Sequence, residues 1–191
     1  MRPIRADDKR LLAQAFERLS SETRYRRFFA PLERLTEQDL RYLTEVDHHD
    51  HEAIAAVNPE NGSIVGVARY VRAEDPREAE VAVAVGDPWQ GHGVATALLS
   101  RLVGRAQGAG IQHFVALVMG DNENALELFQ HLAPSGSTTR RSASGHTELV
   151  MGLPDPERIG ESTLGRVLRA AAAGLRINPW RVLRQRAGSR E

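Results

Sequence analysis

The stretch DPWQGHGVATALL, residues 87–99, sets a proline and two glycines in front of a run of good helix formers. A flexible, donor-rich loop directly before a helix has a physical use. The first N–H groups of a helix have no acceptor within it, and the macrodipole adds positive potential there, so an anion is favoured. Gly91 and Gly93 remove the side chains that would hold a phosphate away from the backbone, Ala95 is small, and Thr96 offers a hydroxyl. A pyrophosphate is the natural ligand. The nucleotide-hydrolase loop needs Gly-Lys-Ser/Thr, and this stretch has no lysine. A dinucleotide fold needs a third glycine, which GHGVAT lacks. A purely structural turn is the competing reading.

Outward from the loop, AEVAVAVGD alternates with the period of a strand, and a helix is predicted from about Val94 to Gln107, with Gly108 and Gly110 as C-cap candidates. HEAIAAVN and SIVGVARYVR read as strands flanking the turn NPENGS. Downstream, HFVALVM predicts a short buried strand, NENALELFQHLA a helix, and residues 137–151 a closing hairpin. Near the start, a short strand is expected around Ile4 and a helix from about Asp8 to Leu19 with Asp7 as N-cap. SSETRYRRFFAP receives no element beyond a stop at Pro31, and TEQDLRYL predicts a helix opened by a Thr36–Asp39 capping box. This order predicts an α+β (mixed α/β) single domain with a largely antiparallel sheet.

Composition bounds the rest. A chain of 191 residues with 41% hydrophobic content is long enough for one sizeable core. Its apolar runs fall far short of the roughly 20 residues that span a bilayer, so no integral membrane segment is expected. The start MRPIRADDKR lacks a secretory apolar region, and a soluble cytoplasmic protein is expected. Absence of cysteine excludes disulfides, thiolate metal sites and cysteine nucleophiles. With 25 basic and 25 acidic residues, no net field argues for nucleic acid. Lys9 is the lone lysine, which reads as a coding bias toward arginine.

Beyond residue 153 the character changes. Leu164, Val167, Leu168, Ala171 and Leu175 form one stripe, with Arg166, Arg169 and Arg176 opposite. We therefore divide the chain into a domain at 1–153 and a basic amphipathic extension at 154–191. The extension is expected to pack on its own domain or on a dimer mate, with a membrane-surface or partner-binding role as the alternative.

Gln90-Gly91-His92-Gly93-Val94-Ala95 resembles the Gln/Arg-x-x-Gly-x-Gly/Ala signature of the GCN5-related N-acetyltransferase (GNAT) family. The element order matches over roughly residues 2–151, most sharply from Glu80 to Leu132. The resemblance implies a GNAT-like sheet flanked by helices, with acetyl-CoA as cosubstrate and its pyrophosphate on the loop from Gln90 to Thr96. It also implies that Val83 and Val85 pair with the pantetheine arm and that Asn124 contacts it; by position alone, Asn124 reads equally as a helix N-terminal residue. A narrower likeness, residues 19–47, is to bacterial protein-lysine acetyltransferases that act on acyl-CoA synthetases.

Acetyl transfer to an amine needs a neutral amine, a polarised carbonyl and a leaving thiolate. A carboxylate can take the proton, and Glu80, opening the strand that leads to the loop, is the candidate base. The resemblance implies the same role for it. A backbone N–H near Val85, freed by a bulge, is expected to polarise the carbonyl. Many family members carry a tyrosine as general acid on the last helix, whereas Phe129 stands here and donates no proton. The cluster DHHDH at 47–51 reads foremost as a solvated turn, with a rim of the acceptor groove as the sharper alternative. No metal is expected. The expected function is acetyl transfer to a protein lysine. The alternatives are a small-molecule amine as acceptor, or a non-catalytic acyl-CoA-binding module.

Overall fold

A computed structural model describes residues 1–143 and 145–154, so the predicted extension lies outside the described residues except at Pro154. The chain runs β1 (Arg2–Pro3), α1 (Lys9–Glu17), α2 (Ser21–Phe28), α3 (Glu37–Thr44), β2 (His51–Val57), β3 (Ile64–Arg72), β4 (Glu78–Val85), α4 (Val94–Gly108), β5 (His113–Met119), α5 (Glu123–Leu132), β6 (Thr138–Ala143) and β7 (His146–Gly152). The seven strands form one sheet in the order β1-β2-β3-β4-β5-β7-β6. Among its pairings the β4–β5 pair is parallel and the others are antiparallel. The α+β fold read from the sequence is the one observed.

Strand alternation sorts side chains to two cores. Ile54, Ala68, Tyr70 and Val81 face the larger one, beneath α4 and α5, while Ala53 and Ala55 face the smaller one, beneath α1 and α3. Leu98, Leu99 and Leu102 of α4 are fully buried, each worth about 1.5–3 kcal/mol of apolar transfer. The helix lies close to the sheet because β3 carries glycine beneath it. A Cβ at Gly66 would sit 3.1 Å from both the Ala84 carbonyl oxygen and Leu98 Cδ1. A polar anchor holds its far end: Glu52, fully buried on β2, accepts from Arg105 of α4 at 2.6 Å and meets His48 Nδ1 at 2.7 Å.

Some local expectations shift. The first helix starts at Lys9, after a 3-10 turn at Ala6–Asp8, and its entry is fixed by Asp8 rather than Asp7. The Asp8 carboxylate accepts the Arg5 N–H at 2.8 Å and pairs with Arg2 at 2.6 Å, so it is buried while Asp7 stays exposed. The Thr36–Asp39 capping box opens α3 as predicted. The fourth helix runs through Gly108 to an Ala109 cap, and Gly110 takes the left-handed conformation that follows. SETRYRRF forms a helix to which the sequence reading gave no element, although Ser20 accepting from Thr23 N–H, with Glu22 first and Arg26 and Arg27 last, is an ordinary helix signature.

Candidate functional site

β4 pairs with β5 through three partners only, Glu78↔His113, Ala79↔Phe114 and Glu80↔Val115. Past Glu80 the two strands diverge, although β4 continues to Val85 and β5 to Met119. Hydrogen bonds from Ala73 N–H to the Glu78 carbonyl and from Gly86 N–H to the Val65 carbonyl fix the parity of β4 against β3. Even-numbered residues therefore bond to β3, and Val81, Val83 and Val85 turn their backbone groups toward the gap. The register of β3 with β4 is continuous from Gly66↔Val85 to Arg72↔Ala79. The predicted bulge near Val85 is thus absent, and the divergence of β5 frees the donors instead. The irregularity in this part of the sheet lies between Ala56 and Val57.

The gap is one wall of a cleft of about 1080 Å³ that reaches Glu80, Val83, Gly93, Thr96 and Asn124. At its loop end, Gly91 and Gly93 adopt φ of +71° and +75°, the left-handed region open to glycine at little cost. Ala97 N–H makes the first backbone bond, to the Gly93 carbonyl, so the N–H groups of Val94, Ala95 and Thr96 have no acceptor within the helix. Ala95 and Thr96 line the cleft, as does Val94, although the Val94 side chain belongs to the core. The Gln90 side chain is engaged: Nε2 donates to the Val85 carbonyl at 3.1 Å and to Thr23 Oγ1 at 3.3 Å. His92 is exposed and turns Nδ1 onto the Gln90 carbonyl at 2.6 Å, outside the cleft lining. Of the predicted loop, Gln90, Gly91, Gly93, Val94, Ala95 and Thr96 line the cleft, Gln90 also bracing the loop, while His92 lies outside the lining.

Glu80 sits at the last β4–β5 pair, exposed, with no hydrogen bond or ion pair among the described residues. Asn122, not Asn124, caps α5 by accepting from Ala125 N–H at 3.2 Å. Asn124 is thereby spared the capping role and stands at the cleft wall. Phe129 is buried at the same wall.

The opposite wall comes from α2, α3 and β3. Asp87 ties it to the loop, accepting from Ser20 N–H at 3.0 Å, Ser20 O–H at 2.7 Å and Thr23 O–H at 2.8 Å. Burial raises the Asp87 pKa, but these donors outweigh it and hold the carboxyl below its usual range. Arg27 and Arg69, which the sequence reading did not single out, also line this wall. Arg69 is 7% exposed; burial first, and then the Arg27 charge, bring its pKa down to about 9. Burial likewise lowers Arg27. Local pattern gives no notice of Arg69, a charge on an inward position of an alternating strand.

The DHHDH segment is a turn, as the sequence foremost suggests, and the strand begins at His51. Asp47 Oδ1 accepts from the N–H groups of His49, Asp50 and His51. The rings diverge, His48 to Glu52, His49 to Asp50 and His51 to Arg69.

Residues 10–133 match the family model described as the Acetyltransferase (GNAT) family, and the chain belongs to that family. It is 37% identical over 123 residues to Acetyltransferase Pat of Mycolicibacterium smegmatis, a match covering 64% of this chain and 37% of that protein. The chain thus spans little more than a third of that relative. The solved GNAT domain of S. lividans PAT is 35% identical, with TM-score 0.72, covering 80% of this chain and 89% of that one. A variant of the cAMP-binding acyltransferase from Mycobacterium smegmatis is 29% identical, with TM-score 0.57, covering 95% of this chain and 51% of that one.

Proposed function

We propose that the chain transfers an acetyl group from acetyl-CoA to an amine, foremost a protein lysine, with Glu80 as general base. The observation that carries this is the position of Glu80: a free carboxylate at the residue where β4 and β5 part, inside the cleft that ends at the α4 N-terminus. The residues present fit an acyl-CoA. Unpaired N–H groups at Val94, Ala95 and Thr96 suit a pyrophosphate, with Gly91 and Gly93 letting it approach. The free edge at Val83 and Val85 suits an amide-bearing arm in strand-like pairing. When bound, acetyl-CoA supplies the activated acyl group as a thioester.

Glu80 accepts the proton of the acceptor ammonium, directly or through water, and leaves the amine nucleophilic. The Val85 N–H, aimed into the gap, is the donor at hand for the carbonyl oxygen. Phe129 contributes no proton, and a thiolate with a pKa near 8.5 needs no acid to leave. A protein acceptor is supported by the likeness of residues 19–47 to protein-lysine acetyltransferases, because that segment builds α2 and α3 and so one wall of the cleft.

The test pairs acetyl-CoA calorimetry with turnover on a lysine peptide and on a small amine. Glu80→Gln is expected to cut kcat by about 10²–10⁴-fold with acetyl-CoA affinity within twofold of wild type. Undiminished turnover across the pH range removes Glu80 as the base, and binding without turnover in wild type favours a non-catalytic module. Faster turnover of the small amine than of every peptide overturns the protein acceptor.

A further inference from the structure

Arg69 projects from the middle of β3 onto the face that Glu80 shares. Ala82 lies opposite Arg69 and Glu80 opposite Val71, so the two are diagonal neighbours, about 7–8 Å apart by strand geometry. Arg27 approaches from the last turn of α2, and both arginines line the cleft that holds Glu80. Neither forms an ion pair among the described residues. Arg69 spends donors on the Leu43 carbonyl at 3.1 Å and His51 Nε2 at 3.0 Å, and Arg27 lies over the Phe28 ring at 4.9 Å. Of the other charges lining this cleft, Arg26 pairs with Glu22 at 2.7 Å and Asp39 is occupied in its capping box, while Glu80 and Glu148 form no ion pair among the described residues.

A buried and a half-buried like charge with no ion pair are costly to a fold. They keep that cost where an arriving anion removes it, and a guanidinium fork matches a carboxylate in geometry as well as charge. We propose that Arg27 and Arg69 bind a carboxylate carried by the acceptor, one short chain segment away from the amine that Glu80 serves. The proposal rests on the acetyltransfer reading above and narrows its substrate. The acceptor is either a lysine with an acidic residue within two positions, whose side chain lies about 7 Å along an extended strand, or a free amino acid presenting its own carboxylate.

The test reads binding rather than turnover, so it does not depend on Glu80. Protein saturated with coenzyme A is titrated with acetyl-lysine peptides that differ by Glu or Gln two residues from the acetyl-lysine. A second pair is Nε-acetyl-lysine and its carboxamide. The acid member of at least one pair is expected to bind tenfold or more tightly than its amide, and the pair showing the preference identifies the source of the carboxylate. Arg27→Gln, which breaks no hydrogen bond in the described structure, is expected to reduce that ratio below threefold with coenzyme A affinity unchanged. Arg69→Lys keeps the buried charge and is expected to retain part of the preference. Equal affinities within both pairs, no binding of any member, or a ratio unchanged by Arg27→Gln overturns the subsite. An intact preference in a protein that turns nothing over overturns the catalytic reading instead.

Discussion

At the loop end of the cleft the groups on offer are backbone: N–H donors of Val94, Ala95 and Thr96 beyond two left-handed glycines, and the free edge of β4. At the helical wall they are side chains from three elements: Arg27 of α2, Tyr42 of α3 and Arg69 of β3. A backbone site is rigid because a helix and a sheet hold it, and on the proposed function it meets what all acyl-CoA molecules share. A side-chain site can be rewritten one residue at a time without disturbing the sheet. On the proposed function, the difference places donor recognition in the chain path and acceptor choice in what covers it.

The comparison can be broken from either side. Gly93→Glu places an anion where a pyrophosphate is expected and a Cβ at a positive φ. Acetyl-CoA Kd is expected to rise at least about 100-fold by calorimetry, set by repulsion together with roughly 1–2 kcal/mol of left-handed strain. Affinity within threefold of wild type would mean that the loop is only a turn.

Asp87→Asn cuts across both halves, since one carboxylate joins α2 to the loop. An amide oxygen replaces part of the acceptor capacity, and a charge-assisted bond contributes about 1.5–3 kcal/mol. At this exposed position the expected effect is smaller: acceptor KM rises about five- to tenfold while acetyl-CoA Kd moves less than twofold. Equal effects on both would show the halves to be mechanically one.

A third prediction concerns pH. Burial, followed by the Arg69 charge, lowers His51 to about 4, so the folded state holds it neutral while the unfolded chain binds a proton below about 6.5. Stability is therefore fully present above about 6.5 and falls as the pH drops toward 4. Because the ring is only half-buried, the loss is discounted to about 1–2 kcal/mol. The melting temperature of wild type is expected to fall between pH 7.5 and 5 by more than that of His51→Gln, whose amide oxygen still accepts from Arg69. Identical pH slopes would remove His51 as the cause.

The smallest effect belongs to Thr36→Ala, which removes the cap of α3 at a cost of about 1 kcal/mol. Thermal denaturation should register it as a few degrees, with acetyl-CoA affinity untouched. A weakened cofactor would show that the helical wall supports the loop end as well.

The amino-acid sequence by itself determined the order of the elements other than α2, the Thr36–Asp39 box, the hairpin after β2 and the glycine loop opening α4. Each is decided over a few neighbouring residues by backbone freedom, capping and periodicity, and such terms are written locally. It also nominated Glu80, through its place at the opening of the strand that leads to the loop and through a family likeness. Tertiary structure alone decided that β5 leaves β4 at Val115, that Gln90 braces Val85 and Thr23, and that Asn122 rather than Asn124 caps α5. It also brought Arg27 and Arg69, 42 positions apart in the chain, to one wall. Register and burial depend on partners distant in sequence, and no local pattern encodes which charge will be left facing which.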